Sequence, residues 1–148
     1  MVEAKSQTIT IKDEELLNLI RDTVSKTSDL KPAFDLIGEY FLGKIDRSFK
    51  DEVDPYDVPW KPLSPYTLAL KVKQGKILKI LQRTGYMRST TYYSSTPTKL
   101  TIGLKDPKAY KHQTGKDTPM RQILGINEKD QRIIKSTIKD YLKLKSSK

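Results

Sequence analysis

Apolar side chains recur every three or four residues in three stretches of the chain, which is the spacing of one helix face. In the most regular stretch the apolar positions are Phe34, Ile37, Phe41, Ile45 and Phe49. This stretch predicts a helix over about 30–51, and similar spacings predict helices over about 13–26 and 128–144. We expect the first two helices to form a hairpin whose apolar stripes face the rest of the core.

The segment after the second helix cannot be helical, because four prolines fall within eleven residues. These prolines are Pro55, Pro59, Pro62 and Pro65. The same segment holds the only tryptophan, Trp60. We interpret it as a rigid extended arm that docks Trp60 on the core or on a neighbouring subunit. Ser64 as the N-cap and Pro65 at the first helical position then predict a short helix over about 65–72.

Residues 90–104 have the pattern of a β-hairpin. The first half is rich in Thr, Tyr and Ser, a turn follows near Pro97, and apolar residues alternate with Thr101 and Gly103 in the second half. The lysine-rich stretch 71–79 contains Gly75 and no regular apolar spacing, which predicts a mobile basic loop.

The remaining stretches are short. Residues 8–11 alternate and indicate a short strand or an ordered lead-in, whereas 110–121 is polar and irregular. Residues 122–125 are apolar enough to add a short strand, and the tail 145–148 is expected to fray. The order of elements predicts a single α+β domain over 1–148, with a small antiparallel sheet or hairpin before the C-terminal helix.

Charge is unevenly distributed along this chain of 148 residues, whose net charge is +10. Residues 1–57 carry 8 basic and 13 acidic side chains, residues 58–105 carry 9 basic and no acidic ones, and residues 106–148 carry 11 basic and 5 acidic ones. An acid-free stretch of this length suggests a surface that meets a polyanion or an acidic partner. A basic face that only keeps the protein solvated is the alternative.

Contact with DNA would fall on the cations of the basic stretch. The possible DNA-facing or lumen-facing residues are Lys71, Lys73, Lys76, Lys79 and Arg83. Tyrosines nearby can stack on bases, although packing within the hairpin is the interpretation we favour. No DNA-binding motif is present, so phosphate contact without sequence preference is the form to expect.

The sequence carries no pattern of an enzyme, a metal site or a cofactor site. It contains no cysteine and a single histidine, His112, with no carboxylate pair at ligand spacing. No serine lies in a nucleophile-elbow motif, and no glycine run forms a phosphate loop. No apolar run reaches the roughly 18 residues that span a membrane, and no signal peptide is recognisable. We therefore expect a soluble protein made inside a cell, with no enzymatic activity.

An ordered set of short motifs resembles the phage virion morphogenesis family, the tail-completion proteins of contractile-tailed phages. The matching residues are Arg47 with Phe49, Asp54-Pro55, Trp60-Lys61-Pro62-Leu63-Ser64, Thr67, Lys71, Ile80-Leu81, Thr84-Gly85, Tyr110, His112-Gln113, Gly115, Pro119, Arg121 and Leu124-Gly125. The set spans about 47–125. Met87 stands where the family has a leucine, and Asp57 stands where it often has a glycine.

The resemblance implies a structural virion protein at the head-proximal end of the tail, in a tail-completion, terminator or head–tail joining role. It also implies a homo-oligomeric ring, and a hexamer is one ring size compatible with the resemblance. Its partners would be tail tube and head–tail connector proteins, with the protein located in the tail or neck of the virion and in host cytoplasm during assembly. Alternatives are a head–tail connector adaptor and a non-specific nucleic-acid-binding regulator. We expect the subunit contact, or the core beneath it, to involve Trp60, Tyr110, His112, Gln113 and Arg121.

Overall fold

A computed structural model describes residues 14–26 and 29–146. These residues form six helices and two strands: α1 (Glu14–Lys26), α2 (Lys31–Asp51), α3 (Pro65–Lys73), α4 (Tyr86–Ser89), β1 (Thr91–Thr96), β2 (Lys99–Leu104), α5 (Lys108–Thr114) and α6 (Glu128–Ser146). The predicted α+β class is confirmed. The strand predicted at 8–11 lies outside the described residues. Across the described part of the chain, no helix combines the length and the apolar character needed to cross a bilayer.

Helix α2 supports both halves of the hydrophobic core, because its apolar face runs the length of the helix. Around the N-terminal half of α2, the buried side chains that pack together are Leu30, Phe34, Ile37, Phe41, Ile134 and Ile138. Around the C-terminal half of α2, they are Ile45, Phe49, Trp60, Ile80, Met87, Ala109, Ile123 and Leu124. The apolar period of the sequence therefore predicted the buried face of α2 correctly.

Helix α1 lies against α6, and α6 in turn packs on α2. The partly buried side chains of Leu19 and Ile20 reach the core cluster that α2 and α6 share. An ion pair of 3.2 Å between Lys135 and Glu15 links the same two helices. Ile20 of the predicted stripe thus faces the core, and the principal neighbour of α1 is the C-terminal helix and not α2 as the predicted hairpin implied.

The hairpin predicted over 90–104 is present as the antiparallel pair β1–β2, in which Thr91 is opposite Leu104 and Thr96 is opposite Lys99. Both strands pack on α2. The ring of Tyr93 covers Gly38 so closely that a Cβ at this position would lie 2.5 Å from ring atoms. Gly38 is therefore needed for the sheet to approach the helix.

A second glycine of α2, Gly43, has no such role. A Cβ at Gly43 would meet no atom within 4 Å. We expect Gly43→Ala to raise the free energy of unfolding by about 0.5–1 kcal/mol, because alanine loses less backbone freedom in a helix. Gly38→Ala is expected to lower it by about 1–3 kcal/mol through overpacking. Urea titration of the two variants followed by circular dichroism measures both changes, and equal effects at the two positions would contradict the packing described.

Two predicted boundaries are corrected by the structure. Residues 108–114, which lie mostly in a stretch predicted to be irregular, form helix α5. It begins where the Asp106 carboxylate accepts the backbone N–H of Lys108 at 3.0 Å, and it ends at Gly115 with φ +76°. Helix α6 continues to Ser146, into the tail that was predicted to fray, and residues 147–148 lie outside the described residues.

The basic stretch 71–79 is not a loop throughout. Its first three residues form the last turn of α3, and the chain then turns at Gly75, where φ is +63°. The Lys79 ammonium donates a hydrogen bond to the Lys50 carbonyl at the end of α2. This contact attaches the stretch to the body, and its mobility stays a prediction.

Candidate subunit interface

The proline-rich segment folds back on the body instead of extending from it. The Asp54 carboxylate accepts the backbone N–H groups of Tyr56 at 2.8 Å and Val58 at 2.9 Å. Val53 and Pro59 then form an isolated antiparallel bridge. The carboxylate satisfies backbone donors that an extended chain would leave to solvent, which favours a closed loop. The prediction of an extended arm is wrong for this part of the segment.

Trp60 lies inside the subunit, with only 4% of its surface exposed. Its ring meets Phe49 edge to face, with a distance of 5.6 Å between ring centroids. Its indole N–H donates to the Gln122 carbonyl at 2.8 Å. Trp60 was predicted to dock either on the core or on a neighbouring subunit, and the structure places it in the core of its own subunit.

Arg121 is a buried cation that holds the proline-rich segment by its backbone. Its guanidinium donates from Nε to the Lys61 carbonyl at 2.8 Å and from a terminal nitrogen to the Pro62 carbonyl at 3.2 Å. Burial lowers the pKa of the guanidinium. The residue thus fixes the path of the chain immediately after Trp60.

Gln113 explains why residues 122–125, which the structure describes, do not form the predicted strand. Its side-chain oxygen accepts the backbone N–H groups of Ile123 at 2.7 Å and Leu124 at 2.9 Å, and its amide donates to the Leu124 carbonyl at 2.7 Å. One side chain supplies the hydrogen bonds that a partner strand would have supplied. The strand prediction is therefore corrected to an irregular segment held by α5.

His112 and Tyr110 are half-buried residues of α5. The His112 carbonyl accepts the backbone N–H of Arg121 at 2.8 Å. Among the described residues, the buried Nδ1 of His112 has no hydrogen-bond partner. Burial lowers the pKa of His112, the Arg121 charge lowers it further, and Asp106 acts in the opposite direction. Tyr110 lines a small cavity beside β2.

The structure therefore brings the five predicted residues together around the irregular segment 121–124. Trp60, His112, Gln113 and Arg121 all bond to the backbone of that segment or belong to it. Tyr110 lines a cavity together with Gln113, Ile123 and Leu124. The group connects the proline-rich segment to α5 within one subunit. These contacts therefore do not by themselves identify a subunit contact.

Lys71 differs from the other cations of the basic stretch because it points inward and is only 9% exposed. Its ammonium donates to the Lys79 carbonyl at 2.7 Å and lies 3.5 Å from the Gln82 carbonyl. Burial lowers the pKa of this ammonium. Lys71 thus closes the turn after α3 and does not present its charge to DNA or to a lumen.

The other predicted cations are more accessible. Lys73, Lys79 and Arg83 are exposed and Lys76 is half-buried. Arg83 donates to the side chain of Gln74 at 2.6 Å. Contact of this group with DNA or with an acidic neighbour stays a prediction.

Helix α3 exposes its apolar side chains, which was not predicted from the sequence. Of the residues Pro65–Lys73, all of which the structure describes, Lys71 alone is buried. The exposed apolar side chains on α3 and on the turn after it are Tyr66, Leu68, Leu70, Val72, Ile77 and Leu78. An ordinary surface helix buries its apolar stripe and exposes its charges, so α3 has the reverse arrangement. The sequence signal of this exposed apolar surface is the run Tyr66–Val72, in which apolar residues point to several sides of the helix and not to one.

The family to which the chain belongs indicates what kind of protein carries this surface. The sequence model of the phage virion morphogenesis family matches residues 11–143. The chain belongs to this family. Searches of curated proteins and of solved structures found no match. Family membership indicates a phage protein with a structural role in building the virion.

In this phage virion morphogenesis protein, several of the residues that carry the family resemblance hold the fold together. Phe49 and Trp60 lie in the core. Gly85 adopts φ +81° where α4 begins, a conformation that favours glycine. Gln113 and Arg121 fix the backbone of neighbouring segments. These matching residues therefore support the architecture, whereas the apolar side chains on α3 are exposed.

Proposed function

We propose that this phage virion morphogenesis protein completes the head-proximal end of the phage tail, as a subunit of a homo-oligomeric ring. The observation that carries this proposal is helix α3, whose apolar side chains face away from the core of their own subunit. Several exposed apolar side chains on one short helix are typical of a surface that another protein covers. A ring needs such a surface on every subunit, together with a different surface that receives it.

The proposed role is structural and involves no catalysis. The buried cations Lys71 and Arg121 are used to hold backbone carbonyls, and the buried aromatic Trp60 anchors the proline-rich segment. The proposed partners are the tail tube below the ring and the connector proteins of the head above it. In this role the protein joins parts of the virion and is incorporated into it.

The test uses a phage or prophage that encodes this protein, with the gene interrupted by a stop codon. We expect DNA-filled heads and separate tails to accumulate, because the tail end that joins the head is unfinished. Adding the purified protein to the mutant extract should restore infectivity, and a labelled antibody should bind the head-proximal end of isolated tails. Intact infectious particles without the protein, or label at the opposite tail end, would overturn the proposal.

The same fractions distinguish the alternative roles. A protein that copurifies with tails and is absent from tail-free heads supports tail completion, whereas the reverse supports a head–tail connector adaptor. A nucleic-acid-binding regulator would be absent from both fractions. It would bind duplex DNA with an affinity that falls steeply as salt is raised.

A further inference from the structure

Strand β2 leaves one edge of the described sheet open. It pairs with β1 on one side, and no strand among the described residues lies on its other side. Directly after β2, the N–H of Lys105 donates to the carbonyl of Thr90, which directly precedes β1, at 3.2 Å. Bonded and non-bonded pairs alternate along an antiparallel ladder, so the backbone groups of Leu100 and Ile102 point away from β1. An edge of this kind is a template for one more strand.

An apolar cavity of about 410 Å³ follows this open edge. Five consecutive residues, 98–102, line the cavity, so it lies beside the strand and not beneath one face of the sheet. The remaining wall comes from α2, α6, the irregular segment 123–126 and Ile20 of α1, mostly through Phe, Ile and Leu side chains. Protein interiors hold few voids larger than a water molecule, so a cavity of this size and lining favours an apolar occupant.

The face of β2 that meets the core is fixed by its partner strand. The ring of Tyr93 on β1 covers Gly38 of α2. Tyr93 is opposite Ile102, so Ile102 and, two residues away, Leu100 lie on the face of the sheet toward α2. Thr101 lies on the other face. Along the open edge, β2 therefore alternates apolar residues toward the core with a threonine away from it.

Residues 8–11, which lie outside the described part of the chain, have the same alternation. Their sequence is Thr-Ile-Thr-Ile, and all four residues are β-branched, which favours a strand. In a strand, Ile9 and Ile11 would share one face and the two threonines the other. Beside β2, the isoleucines would continue the apolar face of Leu100 and Ile102.

The chain between this segment and α1 is long enough to place it there. Ile20, which lines the cavity, follows Glu14 by six residues, or about 9 Å along the helix. Extended chain from Ile9 to Glu14 spans up to about 17 Å. The segment can therefore turn back along α1 and reach the cavity of its own subunit.

We propose that residues 8–11 pair with the open edge of β2 in their own subunit as a third strand, and that Ile9 and Ile11 fill the cavity. The pairing gives hydrogen-bond partners to the backbone of Leu100 and Ile102, and it removes two isoleucine side chains from water. It also occupies an edge that would otherwise be open to another chain, so β2 does not serve as a subunit contact. This inference is independent of the tail-end role proposed above.

Amide hydrogen exchange in the full chain tests the pairing. The N–H groups of Leu100 and Ile102 are compared between the wild type and the double variant Ile9→Asp/Ile11→Asp. We expect at least one of these amides to exchange about tenfold or more slowly in the wild type, because a hydrogen bond protects an amide from exchange. The N–H of Thr101 faces β1 and should change little.

A second double variant is the matched control for the exchange experiment. Val2→Asp/Ala4→Asp introduces the same two charges, also two residues apart, outside the Thr-Ile-Thr-Ile run. It should keep the wild-type protection of Leu100 and Ile102.

Disulfide formation supplies an independent measurement that leaves both isoleucines in place, and the chain contains no cysteine to interfere. Thr10→Cys is combined in turn with Lys99→Cys and with Thr101→Cys, because the direction of the third strand decides which is opposite. Neighbouring strands lie about 4.8 Å apart, and a disulfide needs Cα atoms within about 7 Å. We expect one pair to form a disulfide within a single chain. Thr10→Cys with Ser94→Cys should form none, because Ser94 lies one strand further away on β1.

Three results would each overturn the proposal. The first is equal exchange of Leu100 and Ile102 in the wild type and in a folded Ile9→Asp/Ile11→Asp variant. The second is the absence of a disulfide from both pairs, with circular dichroism showing folded protein. The third is a disulfide that links two chains only, which would show that the segment of a second copy occupies the edge. If the Asp variant does not fold, the disulfide pairs decide the outcome.

Discussion

Trp60→Ala is expected to lower the free energy of unfolding by about 3–5 kcal/mol, the range for removing a large aromatic side chain from a core. Trp60 packs on Phe49 in the C-terminal half of the core and is almost completely buried. The variant also leaves the Gln122 carbonyl without its indole donor. Both losses act on the same connection, between the proline-rich segment and the irregular segment held by α5.

Urea titration followed by circular dichroism measures this loss, since the variant lacks the only tryptophan available for fluorescence. Trp60→Phe retains most of the apolar volume and loses the hydrogen bond, so its loss of stability should be smaller. Tyr66→Ala is the matched control, because Tyr66 is an exposed aromatic residue on α3, and its effect should stay within about 0.5 kcal/mol. A loss below about 1 kcal/mol for Trp60→Ala would contradict the buried position of the ring.

Asp130→Ala is expected to cost a similar amount, about 3–5 kcal/mol, because it removes one partner of a buried ion pair. Asp130 is completely buried, and its carboxylate accepts hydrogen bonds from the Lys44 ammonium and from the Tyr40 hydroxyl, the latter at 2.6 Å. It also accepts the backbone N–H of Asn127 at 2.8 Å, while the Asn127 side chain accepts the N–H of Asp130. This reciprocal pair caps α6, so the residue joins a helix start to α2.

Two comparisons isolate the contribution of the buried charge. Asp130→Asn keeps a side chain of similar shape and should lose less stability than Asp130→Ala. Asp46→Asn is the control at an exposed site, where the ion pair with Arg88 at 2.6 Å should contribute less than about 1 kcal/mol. Equal losses for Asp130→Ala and Asp46→Asn would contradict the role of burial.

Tyr40 supplies a spectroscopic readout of the same site. Burial, followed by the hydrogen bond to Asp130 and the charge of Asp130, raises the pKa of Tyr40 to about 12. Phenol titration by ultraviolet absorbance should show this pKa move back toward its ordinary value of 10.0 in Asp130→Asn. Because the folded pKa exceeds the unfolded one, the stabilising contribution of Tyr40 is complete below about pH 10. It is lost as the pH rises from about 10 to about 12, and Tyr40→Phe should remove this dependence.

The helices with a strong apolar period were predictable because the period itself records which face is buried. The five apolar positions from Phe34 to Phe49 gave both the extent of α2 and its inner face. The hairpin was predictable for the same reason at the shorter period of a strand. Helix α5 was missed because it is short and polar and buries Ala109 alone among its described residues. The Asp106-Pro107 pair before it and Gly115 after it were signals of a helix start and end.

The position of the candidate interface was less predictable. The sequence identified Trp60, Gln113 and Arg121 as important residues but could not tell a core contact from a subunit contact, since both use the same apolar and polar groups. Lys71 was assigned to a basic surface on charge alone, whereas its burial and its hydrogen bond to the Lys79 carbonyl show that it points inward. The predicted short helix was found with nearly the expected bounds, while its exposed apolar side chains were not anticipated.

The sequence by itself determined the local elements and the kind of protein. Periodicity, caps and turn residues depend on contacts within a few residues, and the ordered motifs over 47–125 resembled the family to which the chain belongs. The tertiary structure decided how the elements pack on one another and which polar groups are buried, because that depends on contacts between residues distant in sequence, such as Trp60 with Gln122 and Tyr40 with Asp130. It also showed that α3 buries Lys71 and exposes its apolar residues, since the Lys71 ammonium finds backbone carbonyls inside while no part of the described core covers the other side.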